Sequence, residues 1–413
     1  MRSEGVVILL AWRNVWRNKR RTILTFLTIM IGCAMIILLN AISYGGHEQM
    51  IEDAVSLNAG HIQIHEKGFW DNRSLDYAMH FDPSFLQTLR SDRRVTGVSV
   101  RVQADALLSF EGNTAGVVVQ AVDPDEEVKV TDLYRKIRPG GRFLSREDRL
   151  TMVLGETLAE NLGAGVGSTI SLISQGFDGS IAAEKLRVVG LFNSGNPEYD
   201  QSLVLMPLRQ GKTTFSMGEY INSYTLKLAS PGLMEDVRDS LRKRLGAGSW
   251  EVLGWDELMP ELVQFIVMDE VSGYIFDFIL FMIVAFGVLN TIQMSVYERI
   301  REMGIMLSIG TRPGQVVAMV LCESFFITLL GIVFGIALGV LTSYYFEVNP
   351  LNYSEYSREI AVWGVSTVVY PARTTLLNVA STGLITLLLS MLFSYFPARK
   401  ASRLNPVEAV RHL

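Results

Sequence analysis

Four stretches of the chain are apolar, uncharged and long enough to cross a lipid bilayer. They run from Thr22 to Ile42, Phe278 to Tyr297, Ser324 to Phe346 and Thr374 to Phe396. A helix needs about 20 apolar residues to span the hydrocarbon core. With their flanking residues, the predicted transmembrane helices occupy residues 22–44, 272–297, 315–346 and 374–396.

The segment between the first and second stretches has a different pattern. Residues 45–271 mix polar and apolar positions and contain turn signals, alternating runs such as Gly116 to Val122, and no spanning stretch. Alternation with a period of two is typical of β-strands. We therefore predict an α-helical membrane protein with four spans, one plus three, and a large α+β extracytoplasmic domain between the first two. Residues 347–373 are expected to form an outer loop.

The charges are unevenly distributed along the chain. Residues 45–271 hold 22 Lys/Arg and 33 Asp/Glu, a net charge of −11, whereas the rest of the chain carries +6. Basic residues flank the first span, lie between the second and third spans, and follow the fourth. The positive-inside rule therefore places both termini, the element at 298–314 and the tail at 397–413 in the cytoplasm. The overall charge of −5 argues against nucleic-acid binding.

The N-terminal residues 1–21 have the pattern of an interfacial helix. Trp12 and Trp16 are four residues apart, as are Arg13 and Arg17. A helix would place an aromatic stripe beside a basic stripe, which suits the inner headgroup layer. The alternative is a simple basic flank to the first span.

The first span could instead be a processed segment. A signal peptide is disfavoured because the apolar run is longer than a normal signal sequence. The string from Met30 to Cys33 resembles a lipobox, but cleavage there would leave the apolar run Ala34 to Leu39 at the start of the mature chain. We expect an uncleaved membrane anchor.

The sequence contains no pattern of catalytic or metal-binding residues. Gly211-Lys212-Thr213 lacks the earlier P-loop glycine, which is Met206 here, so we expect a surface turn and no ATP site. His61 and His65 are four apart in an alternating strand, about 13 Å from each other, which is too far for one metal ion. We expect both on a solvent-facing sheet surface, and we predict no bound metal.

A few residues stand out inside the spans. Asp277 and Glu323 are carboxylates in apolar helices, where a charge is expensive and functional roles are common. Snorkelling towards the membrane surface is the alternative for both. Gly331, Gly335 and Gly339 recur every four residues and predict a helix face for close backbone packing.

Two strings at the predicted cytoplasmic side resemble a known family. One is ERIREMGIMLSIG, from Glu298 to Gly310, and the other begins at Pro397 and includes Pro406-Val407-Glu408-Ala409. Together with Glu323 and the glycine ladder, they resemble ABC transporter permeases of the MacB/FtsX superfamily. Strings in residues 45–271 resemble the same family, and those at Gly60-His61-Ile62 and Glu198-Tyr199-Asp200 are most similar to the LolC/LolE lipoprotein-releasing type.

The resemblance implies a permease subunit that is not itself an enzyme. ATP and Mg would bind a separate cytoplasmic ABC ATPase subunit, two copies of which pair with two permease protomers, either identical or homologous. The implied site is an ATPase-coupling element that includes Glu298, Arg299, Arg301, Glu302, Met303, Gly304 and Gly310. We expect a multi-pass protein of the bacterial inner membrane that relays ATPase motion by mechanotransmission.

The resemblance leaves the cargo open between three functions. We favour release of a lipoprotein, or other lipidated or amphipathic cargo, from the membrane to a periplasmic acceptor. The alternatives are MacB-like efflux of a drug or peptide from the periplasm and FtsX-like activation of a cell-wall hydrolase.

Overall fold

The computed structural model describes residues 11–246, 248–352 and 369–403. These residues form two compact units. The helical unit comprises the described residues up to Glu48, those from Ile266 to Asn352, and those from Val369 onward; the sheet unit comprises Gln49–Phe265. Most of the predicted outer loop and the string Pro406 to Ala409 lie outside the described residues.

Residues 11–17 are helical, and further helices follow along the chain. They are α1 (Lys19–Ala54), α2 (Phe69–Asn72), α3 (Pro83–Ser91), α4 (Pro124–Glu127), α5 (Glu156–Leu162), α6 (Pro197–Ser202), α7 (Leu208–Thr214), α8 (Met234–Leu245), α9 (Trp255–Leu258), α10 (Pro260–Glu298), α11 (Ile300–Ser308), α12 (Pro313–Val348) and α13 (Leu376–Ser402). A π-helical turn, Val55–Ala59, continues α1.

Four of these helices, α1, α10, α12 and α13, are long and apolar enough to cross a membrane. The predicted one-plus-three arrangement around an α+β domain is thereby confirmed. The helix ends follow local chemistry: α12 begins with Pro313, which needs no hydrogen-bond partner for its nitrogen. Thr375 caps α13, where its hydroxyl accepts a hydrogen bond from the Asn378 backbone N–H.

The sheet unit is built on a nine-stranded mixed sheet. The strands of the chain are β1 (Ile62–Glu66), β2 (Met79–His80), β3 (Val95–Phe110), β4 (Asn113–Val122), β5 (Thr151–Gly155), β6 (Thr169–Gln175), β7 (Ile181–Phe192), β8 (Leu203–Pro207), β9 (Tyr220–Ile221), β10 (Ser223–Leu228), β11 (Trp250–Gly254), β12 (Leu351–Asn352) and β13 (Val369–Tyr370). The sheet order is β11-β1-β10-β3-β4-β8-β5-β7-β6, and β2 with β9 and β12 with β13 form separate pairs. The β4–β8 and β5–β7 pairs are parallel.

Alternation along β1, β3, β4 and β10 gives the sheet two unlike faces. One face carries apolar side chains of the main core, including Ile64, Val100 and Tyr224. The other carries polar side chains: Ser99, Arg101, Gln103, Gln120, Ser223, Thr225 and Gln63. Most of these polar side chains are buried, so this face is covered by other parts of the unit.

Two expectations about the sheet unit are wrong. His61 and His65 do not face solvent, since they are 6% and 0% exposed; alternation predicts their common face but not the segments that cover it. Gly211-Lys212-Thr213 is not a surface turn but part of α7, and Gly211 is buried. A side chain at Gly211 would collide with Ala121 of β4.

Candidate functional site

A sharp break separates α10 from the short helix α11 at the predicted cytoplasmic end. α10 ends at Glu298, and Arg299 has φ −115° and ψ 16°, which interrupts the helix. α11 then ends before Gly310, whose φ of 96° favours glycine. The predicted coupling element therefore contains a nine-residue helix that lies between the break at Arg299 and the turn at Gly310.

Arg299 points into the helical unit and pairs with a buried carboxylate. Its Nη1 donates to Glu323 Oε2 of α12 at 3.0 Å, and the two side chains are 8% and 3% exposed. Arg21 of α1 lies 3.8 Å from the other Glu323 oxygen. Glu323 is thus enclosed between two cations, and the geometry does not match snorkelling towards water.

An exposed rim of ion pairs extends this buried pair. Arg17 Nη2 donates to both oxygens of Glu302 at 2.9 and 3.1 Å, and Arg299 Nε donates to Glu302 at 3.0 Å. Arg21 donates to Glu298 at 2.8 Å. Partial burial would raise the pKa of Glu302, but hydrogen bonds from Arg17 and Arg299 outweigh this and lower the pKa. The network therefore connects the N-terminal segment, α1, α11 and α12.

The remaining predicted coupling residues divide into a packed side and an outer side. Met303 and Gly304 are buried, and Ala398 and Ala401 of α13 belong to the same apolar cluster as Met303. Arg301 lies on the exposed side of the element and makes no ion pair within the described ranges. The helix is thus held by one face, and its other face is free to contact a partner.

Two family matches account for most of the chain. Residues 22–244 match the MacB-like periplasmic core domain, and residues 274–406 match the FtsX-like permease C-terminal domain. The chain belongs to the MacB/FtsX-type ABC transporter permeases. The family resemblance noted from the sequence is thereby confirmed.

Full-length relatives of this permease are distant. Lipoprotein-releasing system transmembrane protein LolC of Neisseria meningitidis serogroup B is 24% identical, over 97% of this chain and 99% of its own. The uncharacterized ABC transporter permease MJ1507 of Methanocaldococcus jannaschii is 23% identical, over 98% and 97%. The macrolide export ATP-binding/permease protein MacB 2 of Aeromonas hydrophila is 23% identical over 95% of this chain, which spans 58% of that protein.

The glycine ladder of the permease lies against its first span. A methyl group at Gly331 would come within 2.7 Å of Ile29, and one at Gly335 within 2.8 Å of the Met30 carbonyl oxygen. Such distances are shorter than van der Waals contact. α1 and α12 therefore touch through their backbones over this stretch.

Asp277 of the permease lies near the middle of α10, at the predicted outer end of the second span, and contacts α1. Asn40 Nδ2 donates to both Asp277 oxygens at 2.9 and 3.1 Å. About two turns closer to the start of α10, Asp269 accepts a hydrogen bond from the Ser43 hydroxyl at 3.0 Å and contacts His47 Nε2 at 2.8 Å. These polar groups line a groove of about 480 Å³ between α1 and α10.

The sequence singled out Glu298, Arg299, Glu302 and Glu323, but not Arg21 as their partner. Arg17 and Arg21 belong to the basic stretch before the first span, and this stretch is the sequence signal for a basic surface on the same side of the membrane as the acidic residues of the element. Within the described part of the chain, no group of three or more His, Cys, Asp or Glu side chains could hold a metal ion.

Proposed function

We propose that this protein is the permease subunit of an ABC transporter that works by mechanotransmission, and that its cargo is a lipoprotein or another lipidated molecule. The observation that carries this proposal is the short helix α11. It is anchored by the buried Arg299–Glu323 pair and presents its exposed side, including Arg301, towards the predicted cytoplasm.

The two helices that border the sheet unit are suited to transmit force. α10 has 39 residues and α1 has 36, which at 1.5 Å per residue makes each more than about 50 Å long. Rigid secondary elements of this kind can carry a displacement over such distances. A push on α11 at Arg299 would therefore act directly on the end of α10.

ATP hydrolysis is assigned to a separate subunit. The LolC and MJ1507 relatives match this chain over nearly their whole length, whereas the ATP-binding/permease relative is much longer. This difference supports a separate ATPase that carries ATP and Mg. We propose two ATPase copies and two permease protomers, identical or homologous, in the bacterial inner membrane with both termini in the cytoplasm.

The lipoprotein cargo is supported by the similarity to LolC and by the apolar composition of the four described spans, which favours relay of motion over conduction of a polar solute. The second candidate is efflux of a drug or peptide, which the similarity to MacB 2 favours. In both cases the sheet unit would respond to ATPase motion outside the membrane. An FtsX-like role in activating a cell-wall hydrolase has only the shared C-terminal domain in its support.

The coupling proposal is tested by reversing charge at Glu298 and Arg301 in the complex with its ATPase. The double variant E298K/R301E is expected to insert and fold but to lose cargo release, because one partner of Arg21 and the exposed coupling charge are both inverted. Cargo release and ATPase activity are measured in proteoliposomes. E347K, a reversal at an exposed residue near the other end of α12, is the matched control. Unchanged release by E298K/R301E would overturn the coupling assignment.

The cargo proposal is tested separately with the unmodified complex. Proteoliposomes containing a diacylated or triacylated lipoprotein, ATP and a soluble acceptor are expected to transfer the lipoprotein to the acceptor. Absence of transfer, together with drug sensitivity of a deletion strain, would replace lipoprotein release by the efflux function.

A further inference from the structure

We propose that the sheet unit contains a binding pocket for an amide group, supplied by the main chain or by an Asn or Gln side chain of another molecule. The pocket lies over the polar face of the nine-stranded sheet. Its lining includes Gln63 of β1, Arg101 of β3, Gln120 of β4, Glu198 of α6, Trp70 of α2 and Arg73, which follows α2.

The size of the pocket restricts the ligand to one small group. The cavity measures about 50 Å³, and on the same measure one water molecule needs about 10–15 Å³. One amide group can enter, but a whole sugar ring or a lipid chain cannot. The pocket is therefore suited to a single group at the end or along the edge of a larger molecule.

Gln120 supplies an unused hydrogen-bond donor inside the pocket. It is 1% exposed, and its Nε2 has no hydrogen-bond partner in the described part of the chain. A buried donor without a partner costs about 1–3 kcal/mol. An acceptor oxygen of a ligand in this pocket would satisfy the Gln120 donor, which the described side chains leave without a partner.

The adjacent Arg101 already uses four of its five N–H donors within the protein. Its Nη1 donates to the Asn58 carbonyl and side-chain oxygens at 2.6 and 3.2 Å. Its Nε and Nη2 donate to the two oxygens of Glu127 at 3.2 and 2.6 Å. The Arg101–Glu127 pair is therefore neutral as a unit, and its field in the pocket is small.

Arg73 adds a second donor at the mouth of the pocket. Its guanidinium lies 4.4 Å from the centre of the Trp70 ring, which holds the side chain by a cation–π contact. Arg73 is exposed and forms no ion pair within the described ranges. Its N–H groups are available to an acceptor oxygen of the ligand.

Acceptors for a ligand N–H are also present, and the charges balance. Gln63 Nε2 donates to the Ala59 carbonyl oxygen at 2.8 Å, which leaves Gln63 Oε1 as an acceptor. Glu198 is an exposed carboxylate on the same lining and offsets the charge of Arg73. A neutral group that both accepts and donates fits this arrangement better than a free carboxylate, which Glu198 would repel.

The test uses the full-length protein in lipid nanodiscs and ligand-observed saturation-transfer NMR. The probes are acetyl-triglycine N-methylamide, which has only secondary amides, and propionamide, which has a primary amide. Binding of the first identifies a main-chain ligand and binding of the second a side-chain ligand. Acetyl-trisarcosine dimethylamide, which has no amide N–H, is expected to bind at least about tenfold more weakly, since it loses the donor.

Two variants test whether the probes bind in this pocket. Q120L removes the unused donor and R73M removes the exposed cation, and each is expected to weaken binding by about tenfold. The controls are Q210L, which changes a glutamine of α7 outside the pocket, and R135M, which changes another exposed arginine that lies 5.3 Å from an aromatic ring. Neither control should alter binding.

Three outcomes would overturn the proposal: no saturation transfer to any probe, which leaves a pocket for water only; equal binding of the sarcosine probe; or unchanged binding by Q120L. Q120L removes a buried unpartnered amide, so its fold is expected to persist, and near-UV circular dichroism checks this. The experiment needs neither ATPase nor cargo, so its result is independent of the proposed transport function.

Discussion

The two units of the permease each contain a buried arginine–glutamate pair, and the two pairs differ in what surrounds them. In the sheet unit, Glu127 accepts hydrogen bonds from Arg101, Ser99 and Thr131, the last two neutral groups. In the helical unit, Glu323 lies between two arginines, and Arg299 is shared with the exposed Glu302. The first pair is closed, whereas the second continues to the surface.

This difference separates a structural role from a switching role. A closed pair has one satisfied arrangement, and moving either partner leaves a charge buried in a medium where it is poorly solvated. An open network can exchange partners, because Glu302 and Glu298 offer further carboxylates to Arg299 and Arg21. We therefore expect the closed pair to set stability and the open network to set coupling.

The largest effect is expected from breaking the closed pair. E127A leaves Arg101 buried with only the neutral Asn58, which should lower the free energy of unfolding of the sheet unit by about 3–5 kcal/mol. Denaturant unfolding of the full-length protein, followed by near-UV circular dichroism, measures the change. The neighbouring E126A, which removes a partly exposed glutamate, should cost no more than about 1 kcal/mol. Equal losses of unfolding free energy in E127A and E126A would contradict the structural role of the Arg101–Glu127 pair.

Breaking the open network is expected to lower stability less than breaking the closed pair does, but to lower transport-linked activity more. In E323Q, Arg299 keeps Glu302 at 3.0 Å, so the loss is expected to be about 1.5–3 kcal/mol. Cargo-stimulated ATPase activity of the reconstituted complex should fall at least about tenfold, because α11 is no longer anchored to α12. E347Q on the exposed surface of α12 is the control. Full stimulation in E323Q would show that the buried pair does not take part in coupling.

The sequence predicted the four spans and the inserted domain because hydropathy over about 20 residues is a local property. The coupling element from Glu298 to Gly310 was inferred from the family resemblance and not from a local pattern, and its coupling role stays a prediction. The partners of Glu302 and Glu298 could not be predicted, since Arg17 and Arg21 lie 285 and 277 residues away in the chain. Only the packing of α1 against the other spans brings them together.

In the sheet unit, the local sequence pattern likewise does not predict which side chains are buried. Alternation correctly indicates that His61 and His65 share a face, but their burial depends on remote segments. His65 stacks on Trp70 of α2, and His61 Nδ1 accepts a hydrogen bond from the Leu228 backbone N–H. Neither contact has a signal in the local pattern.

Acid is expected to weaken the sheet unit through these two histidines. Burial lowers the pKa of each to about 4, below the ordinary value of about 6.5. The unfolded chain therefore binds more protons between pH 6.5 and 4, and stability falls as the pH falls through this range. From pH 7 to pH 5 the loss is about 2 kcal/mol per histidine.

The acid effect is measured from denaturant midpoints at several pH values. H65F should remove about half of the pH dependence, because it replaces a buried ring that stacks on Trp70 with a ring that cannot be protonated. H80Q changes an exposed histidine of the same unit and serves as the control. A pH dependence that persists in full in H65F would assign the acid sensitivity to other groups.

The smallest effect is expected at the exposed rim of the open network. Arg17 and Glu302 are about half exposed, and such pairs contribute about 0.2–1 kcal/mol because water and salt screen them. A double-mutant cycle with R17Q and E302Q measures this coupling in the thermal unfolding of the nanodisc-embedded protein, and 0.5 M salt should reduce it further. A coupling energy above about 2 kcal/mol would mean that the rim is as tightly held as the Arg101–Glu127 pair, and the contrast between a closed and an open network would then fail.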